Sequence, residues 1–248
     1  MKTPPLVMVP AGTPGSMRCA VLDRVGKIGM QHAMIPTPKS HEVRVKITYV
    51  GICGSDLETY RGCRAPEFFS TPMRLGHEVA GVLDAVGAKV VGLCVGDQVT
   101  CRYVWGAFAE YIVCEPFNVK VLPPLFPKME ISLIEILPGV IHAAELAKIT
   151  PHTNVIIMGQ GVSGLVITQV CRMFSPKSLV VTDLKDRNLE LAKSTAPRTR
   201  TRSPTSTRPR PSIQRRTSPT ASRWSSLACW TATRCRTRWT YWRWVVAS

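Results

Sequence analysis

Two groups of residues in this 248-residue chain carry side chains that can do chemistry. The first is Gly51-Ile52-Cys53-Gly54-Ser55-Asp56 together with Gly76-His77-Glu78-Val79-Ala80-Gly81. A thiolate, an imidazole and a carboxylate are zinc ligand types, and three of them leave a fourth position open for substrate or water. Spacing alone leaves two readings open. Cys53 and His77 stand 24 residues apart, which matches no short zinc-finger pattern, and a buried cysteine and a satisfied histidine at two unrelated turns fit as well. The second group is the glycine run Gly159-Gln160-Gly161-Val162-Ser163-Gly164, set between the strand-like NVIIMG and the helix-like VSGLVITQVCRMF. In that setting Gly159, Gly161, Val162 and Gly164 let the backbone approach a pyrophosphate at a helix N-terminus. Asp183 closes the next strand-like run, 19 residues beyond Gly164, where an acid accepts hydrogen bonds from an adenosine ribose. An acid at 183 favours NAD over NADP, with Lys185 and Arg187 pulling the other way.

These groups need elements to hold them. After a Pro- and Gly-rich leader over residues 1–16, the runs MRCAVLD, EVRVKITYVGIC, HEVAGVLDAVG, DQVTCRYV and AFAEYIVCE are short, rich in Val and Ile, and separated by turn residues. They predict a compact β domain over about 17–125, followed by a helical stretch around Met129 to Lys148. From Asn154 the order becomes strand, glycine turn, helix, strand (SLVVTD), helix (KDRNLELAKS), which is the βαβ opening of a doubly wound parallel sheet.

At these residues the chain resembles the zinc-dependent medium-chain dehydrogenase/reductase family, on its sorbitol (polyol) and threonine dehydrogenase branch. The segments that carry the likeness are GICGSDLETYRG, RLGHEVAGVLDAVGAKVVGLCVGDQVT, GAFAEYIV, SLIEILPGVIHAAE and VIIMGQGVSGLVITQV. The resemblance implies a mixed β and α/β fold: a GroES-like, β-rich catalytic domain over 17–150, a partial Rossmann domain over 151–194, and a tail over 195–248. It implies Cys53 and His77 as catalytic zinc ligands, Glu135 as the third, and Glu78 as the neighbouring acid that can approach the metal. Ser55 matches the hydroxyl of the proton relay and Asp56 the acid that orients the ligand imidazole. Zinc and NAD are the implied cofactors, with NADP second, and a small alcohol or polyol is the implied substrate. Relatives often form homo-oligomers. Many also carry a lobe with four closely spaced cysteines; Cys94, Cys101 and Cys114 do not reproduce that spacing, so no structural zinc is expected. The family's nucleotide domain runs on for about four more strands where this chain has its tail. Dinucleotide binding is therefore expected to be weak and turnover poor.

The tail differs from the rest in composition. The chain holds 32 Lys and Arg against 16 acids, a net +16, yet residues 195–248 contain 12 Arg, no Lys and no acid, leaving +4 for the first 194. All 17 glycines lie before 195, and Trp224, Trp230, Trp239, Trp242 and Trp244 lie after it. The run from Thr195 to Arg223 has no helical or strand period and reads as disordered. Arg mixed with Trp could pair with phosphates and stack on bases, which makes a non-catalytic nucleic-acid-binding protein one alternative. An NADPH-dependent zinc reductase is another. The genetic code favours a third account of the tail, translation out of frame. Re-read from the third base of each preceding codon, Cys229-Trp230-Thr231 forces Leu-Asp, Trp239-Thr240 forces an apolar residue then Asp, and Trp244-Val245 an apolar residue then Gly. Those forced residues turn the acid-free segment into ordinary globular sequence, so a nucleic-acid role is not expected.

The remaining candidates weigh less. No apolar run reaches the roughly 18 residues needed to span a bilayer, and the proline-broken leader argues against a secretory signal. A cytoplasmic enzyme with reduced thiols is the expectation. His32, His41, His142 and His152 read as surface or helix-end residues, and Cys19, Cys63, Cys171, Cys229 and Cys235 have no partners at metal spacing. Trp105 and Phe108 stand where they could line the substrate side, with packing as their expected role.

Overall fold

Alternation along SMRCAVLDR places Met17, Cys19 and Val21 on one buried face of strand β1 (Ser16–Arg24). The computed structural model describes residues 6–64 and 70–195, and the backbone of 227–234 and 240–247. β1 turns back through Val25-Gly26, with Gly26 at φ 75°, into the antiparallel β2 (Lys27–Met34). β2 is absent from the sequence expectation; half of KIGMQHAM is exposed, Ile28 and Met30 included, and only Ala33 is buried. Part of the leader joins it, through the Met8–Ala33 bridge and the Val9 N–H to His32 carbonyl bond of 3.0 Å.

The larger sheet contains β3 (Val43–Gly51), β5 (Glu78–Val86), β6 (Gln98–Cys101), β7 (Tyr111–Cys114) and β8 (Val119–Val121), in the order β7-β3-β5-β6-β8. Helix α1 (Gly54–Tyr60) and the short β4 (Met73–Arg74), which pairs with β1, lie between β3 and β5 in the chain. Val43, Val45, Val79, Leu83, Val99 and Ile112 pack into a fully or nearly fully buried core. Burial of branched side chains at about 1.5–3 kcal/mol each drives this layer together. Arg44 pins the β3–β5 pair from the polar side with a two-pronged bond to Asp84 at 3.0 and 2.9 Å.

The expected helix over 129–148 is two elements. Glu130–Ile136 is a 3-10 turn, and α2 (Leu137–Leu146) begins with Pro138 at its second residue, where the missing N–H costs no intrahelical bond. The βαβ unit follows as expected: β9 (Asn154–Met158), α3 (Val162–Met173), β10 (Ser178–Thr182) and α4 (Asp186–Ser194), with β9 and β10 parallel in register Asn154 to Ser178. The chain divides into two compact units, residues 1–138 and 139–248. The backbone of β11 (Leu227–Arg234) and β12 (Thr240–Ala247) pairs as an antiparallel ladder, beyond the 195–223 run that reads as disordered. Thr, Trp, Tyr and Val in these two runs are strong strand formers. Residues 196–226 of that tail lie outside the described residues. No helix among the described residues is long and apolar enough to cross a membrane.

Gly81 on β5 is a close-approach position: a β-carbon there would come within 2.5 Å of Val45 Cγ1 and 2.6 Å of the Lys46 carbonyl oxygen. Gly81→Ala is expected to lower the stability of the first unit by about 1–3 kcal/mol through overpacking. Urea unfolding followed by circular dichroism reads it as a reduced midpoint with an unchanged slope.

Candidate active site

The β3–β5 ladder brings together residues that are distant in sequence. Gly51, the last residue of β3, is paired with Glu78, the first of β5. Cys53 and His77 lie just outside this last rung, so strand register places them side by side. Gly51 must be glycine, because a β-carbon would strike the Glu78 carboxylate. Cys53 caps α1, and Asp56 in its first turn accepts the Cys53 N–H at 3.0 Å through Oδ2 and the Gly76 N–H at 3.0 Å through Oδ1. Asp56 is 2% exposed, and these two bonds compensate the burial of its carboxylate. Gly76 sits at φ 86° with the Phe108 ring against it, where a β-carbon would come within 2.5 Å. Position 76 therefore needs glycine on both counts.

The ligand-type atoms of Cys53, His77 and Glu78 all lie within 4.8 Å of one another. Glu78 is buried, and desolvation pushes its carboxyl up, partly offset by His77. Glu135, on the 3-10 turn, lies outside that group of three. It is still close enough to feel both His77 and Glu78, and burial raises its carboxyl too. The acid that completes the convergence is thus Glu78, which the resemblance gave the neighbouring position, with Glu135 next to it. Burial opposes an imidazolium at His77, but the Asp56 carboxylate and the Cys53 sulfur outweigh it and push the imidazole up to about 10. So many acidic groups around one ring favour a cation at this place. Two buried polar atoms point the same way: Ser55 Oγ and His77 Nδ1 have no hydrogen-bond partner. A mixed sulfur, nitrogen and oxygen donor set beside orphaned polar atoms fits a zinc ion.

Cys101 and Cys114 are buried in the core of the same unit, where Cys114 and desolvation push the Cys101 thiol well above its ordinary range and keep it protonated; Cys94 is exposed. Trp105 lies against His77, with ring centroids 4.5 Å apart, a contact the sequence does not announce.

In the second unit Gly159 stands at φ 96°, its N–H bonded to the Thr182 carbonyl at 2.7 Å, and Gly161 caps α3. A β-carbon at Gly164 would strike the Gly159 carbonyl, so the third glycine sets how closely α3 approaches β9. Val162, the first residue of α3, is exposed at the helix N-terminus. Asp183 accepts the Gln160 N–H at 2.6 Å and the Asn188 amide at 3.1 Å on Oδ2, and the Lys185 N–H at 2.8 Å on Oδ1. The Gln160 side chain, fully buried, bridges Gly159 and Thr168 at 3.0 Å each. Sequence reasoning missed this, since a glutamine between two glycines reads as a solvated loop residue.

Residues 39–124 match the model of the alcohol dehydrogenase GroES-like domain. The chain is 34% identical over 209 residues to a sorbitol dehydrogenase of Bacillus subtilis, covering 73% of this chain and 59% of that protein. It is 35% identical over 211 residues to a galactitol 1-phosphate 5-dehydrogenase of Escherichia coli, covering 72% and 59%. The chain belongs to the zinc-type medium-chain dehydrogenase family. The crystal structure of galactitol-1-phosphate dehydrogenase from Escherichia coli superposes with a TM-score of 0.65 at 34% identity, over 72% of this chain and 59% of that one. A second Escherichia coli structure, described as a short chain alcohol dehydrogenase complexed with NADH, gives 0.66 at 29% identity, over 73% and 60%. The chain thus spans about three fifths of the length of these relatives.

Asp183 links the glycine loop to the end of β10 through its charge. Slight burial works against the ionised form, but the Gln160 and Lys185 N–H groups and the Asn188 amide outweigh it and hold the carboxyl below its ordinary value. A carboxyl lowered by folding stabilises the fold above its unfolded value, and that contribution is lost as pH falls through the lowered value. Thermal unfolding of the wild type is therefore expected to steepen on acidification below the ordinary carboxylate range. Asp183→Asn is expected to flatten that acid-side dependence, and identical profiles would contradict the assignment.

Proposed function

We propose that this chain derives from, and retains the metal centre of, a zinc-dependent oxidoreductase that moves a hydride between a secondary alcohol of polyol type and NAD. The observation that carries this reading is the convergence of Cys53, His77 and Glu78 within 4.8 Å in the GroES-like unit. Zinc supplies Lewis acidity toward an alcohol hydroxyl when bound, and the dinucleotide supplies a hydride acceptor. The chain's own residues do the rest. Cys53 and His77 hold the ion, with one of the two acids, Glu78 or Glu135, as the third protein ligand. Asp56 keeps the Cys53 and Gly76 backbones in place, so the two ligand-bearing loops keep one spacing. Ser55 Oγ, buried without a protein partner, would accept the alcohol proton as it gives its own hydroxyl proton to a water molecule, which is the final acceptor.

In this reading the second unit supplies the nucleotide site. Gly159, Gly161, Val162 and Gly164 form the pyrophosphate loop, and Asp183 receives the adenosine ribose. The Gln160, Lys185 and Leu184 N–H groups and the Asn188 amide hold its carboxylate ionised, and that negative charge attracts a ribose hydroxyl while it repels a 2′-phosphate. That supports NAD over NADP. The described residues offer two parallel strands here, and Val180 of β10 is half exposed, so weak dinucleotide affinity is part of the proposal. Seven free cysteines among the described residues suit a reducing, cytoplasmic setting.

Zinc content measured on the purified chain is expected to approach one ion per molecule and to fall well below that in Cys53→Ser. Loss in Glu78→Gln with retention in Glu135→Ala makes Glu78 the third ligand, and the reverse makes it Glu135. Undiminished zinc in both Cys53→Ser and Glu135→Ala overturns the site. For the dinucleotide, Asp183→Ser is expected to reverse the ratio of NADH to NADPH affinity in a fluorescence titration, and an unchanged ratio would remove Asp183 from the ribose.

A further inference from the structure

β7 and β8 stand at opposite edges of the larger sheet, yet only Glu115 and a short 3-10 turn, Pro116–Asn118, join them. Four strand spacings across a flat sheet come to roughly 19 Å. The stretch from Cys114 to Val119 would reach roughly 17 Å at full extension, and its middle is coiled into the turn. The sheet therefore curls until its two edges meet there. The Arg102 N–H fastens the meeting point by bonding the Asn118 carbonyl at 2.8 Å.

This closure sets two thiols against each other. Cys101, the last residue of β6, is paired with Val119 on the far side of the turn, and Cys114, the last of β7, leads into it. The Asn118 side chain bridges the residues that follow each cysteine. Its Nδ2 donates to the Arg102 carbonyl at 2.9 Å, and its Oδ1 accepts the Glu115 N–H at 3.2 Å. Both cysteines sit in one core cluster with Val43, Val99 and Ile112, Cys101 with no exposure and Cys114 with 9%. The two side chains interact directly, and Cys114 is the main reason why Cys101 holds its proton. Among the described residues no third metal-ligating group converges with them, so the pair is not a metal site.

We propose that Cys101 and Cys114 are a redox pair, a modification site that closes to an internal disulfide under a peroxide and braces residues 102–113. Cys114, the sulfur with some exposure, reacts first. Its S–O bond forms, the peroxide O–O bond breaks, and the thiol proton leaves with the departing oxygen as water. The Cys101 sulfur then attacks the sulfenic sulfur. The S–S bond forms, the S–O bond breaks, and the Cys101 proton completes a second water, so both sulfurs are oxidised and the peroxide is reduced. Burial slows the first step, while a neighbour already held in place speeds the second. The braced connection carries Trp105, whose ring lies 4.5 Å from that of His77, so oxidation stiffens a segment in contact with the candidate metal centre.

The test treats the full chain with hydrogen peroxide, alkylates the remaining thiols and digests with trypsin, which cuts after Arg102 and so separates the two cysteines. Mass spectrometry is expected to find peptide 90–102 linked to peptide 103–120 in the wild type and in Cys94→Ser, and not in Cys114→Ala. Dithiothreitol should release the link. The thermal midpoint should rise by about 5–10 °C on oxidation of Cys94→Ser and return on reduction, with no rise in Cys114→Ala treated alike. Alkylated Cys101 and Cys114 in wild-type samples whose exposed Cys94 is oxidised overturn the proposal. A link that disappears in Cys94→Ser, or that forms only in denaturant, overturns it as well.

Discussion

A single buried carboxylate holds the candidate site together. Asp56 sits at 2% exposure, a place where an ionised acid is costly, and it is compensated by two backbone N–H groups that belong to different loops. One precedes α1 and carries Cys53; the other precedes β5 and leads directly into His77. Strand pairing brings the loops near each other, since Gly51 and Glu78 form the last rung of the β3–β5 ladder. The carboxylate converts nearness into a fixed spacing. It also explains why the next positions tolerate so little: Gly51 leaves room for Glu78, Gly76 for Phe108, and each is glycine for a contact that a β-carbon would destroy.

The second unit repeats the device at its own loop. Asp183 ends β10 and takes the N–H of Gln160 in the middle of the glycine turn, so the acid at the end of one strand shapes the backbone that follows the other. The fully buried Gln160 amide ties the same turn to Thr168 on α3. Both loops are thus set by side-chain acceptors and donors before any ligand arrives. Preorganisation of this kind lowers the entropy that binding must overcome.

Much of this was legible in the residues, and the rest was hidden for identifiable reasons. β1, β3, β5 and β7 show in the sequence because their Val and Ile alternate with polar residues. β2 does not, since Lys27 to Met30 pair with β1 while facing solvent and only Ala33 of the strand is buried. The 129–148 helix split because Pro138 resets the hydrogen-bond pattern, which periodicity cannot see. Asp183 could be read from strand-end position, a local feature. Spacing alone could not show the Cys53–His77 convergence, which only the resemblance implied, because a 24-residue separation becomes contact only through the register of a ladder, and register is a property of the pair. The resemblance made Glu135 the third ligand and Glu78 its neighbour, whereas strand register sets Glu78 with Cys53 and His77 and leaves Glu135 outside that group: one is fixed by the ladder, the other by how the 3-10 turn packs on β5. Packing is the role the residue order suggests for Trp105, and its contact with the His77 ring appears only in the fold.

The two sites differ in what supports them, and this separates their chemistry. Every side chain of the candidate metal centre, from Cys53 to Glu135, lies in the first unit, which has its own core of fully buried Val43, Val45, Val79, Leu83 and Val99. A metal held there draws its stability from a closed set of layers. The dinucleotide loop belongs to the second unit, where Val180 is half exposed on β10 and Leu184 fully so, and parallel sheets are rarely stable with a face or edge left open. The +12 carried by residues 195–248 comes with no acid to balance it. Net charge is therefore a poor guide to partners in this chain. The balanced first 194 residues hold both candidate sites, and the residues of the candidate metal centre share a unit with the core built on Val43, Val45, Val79, Leu83 and Val99.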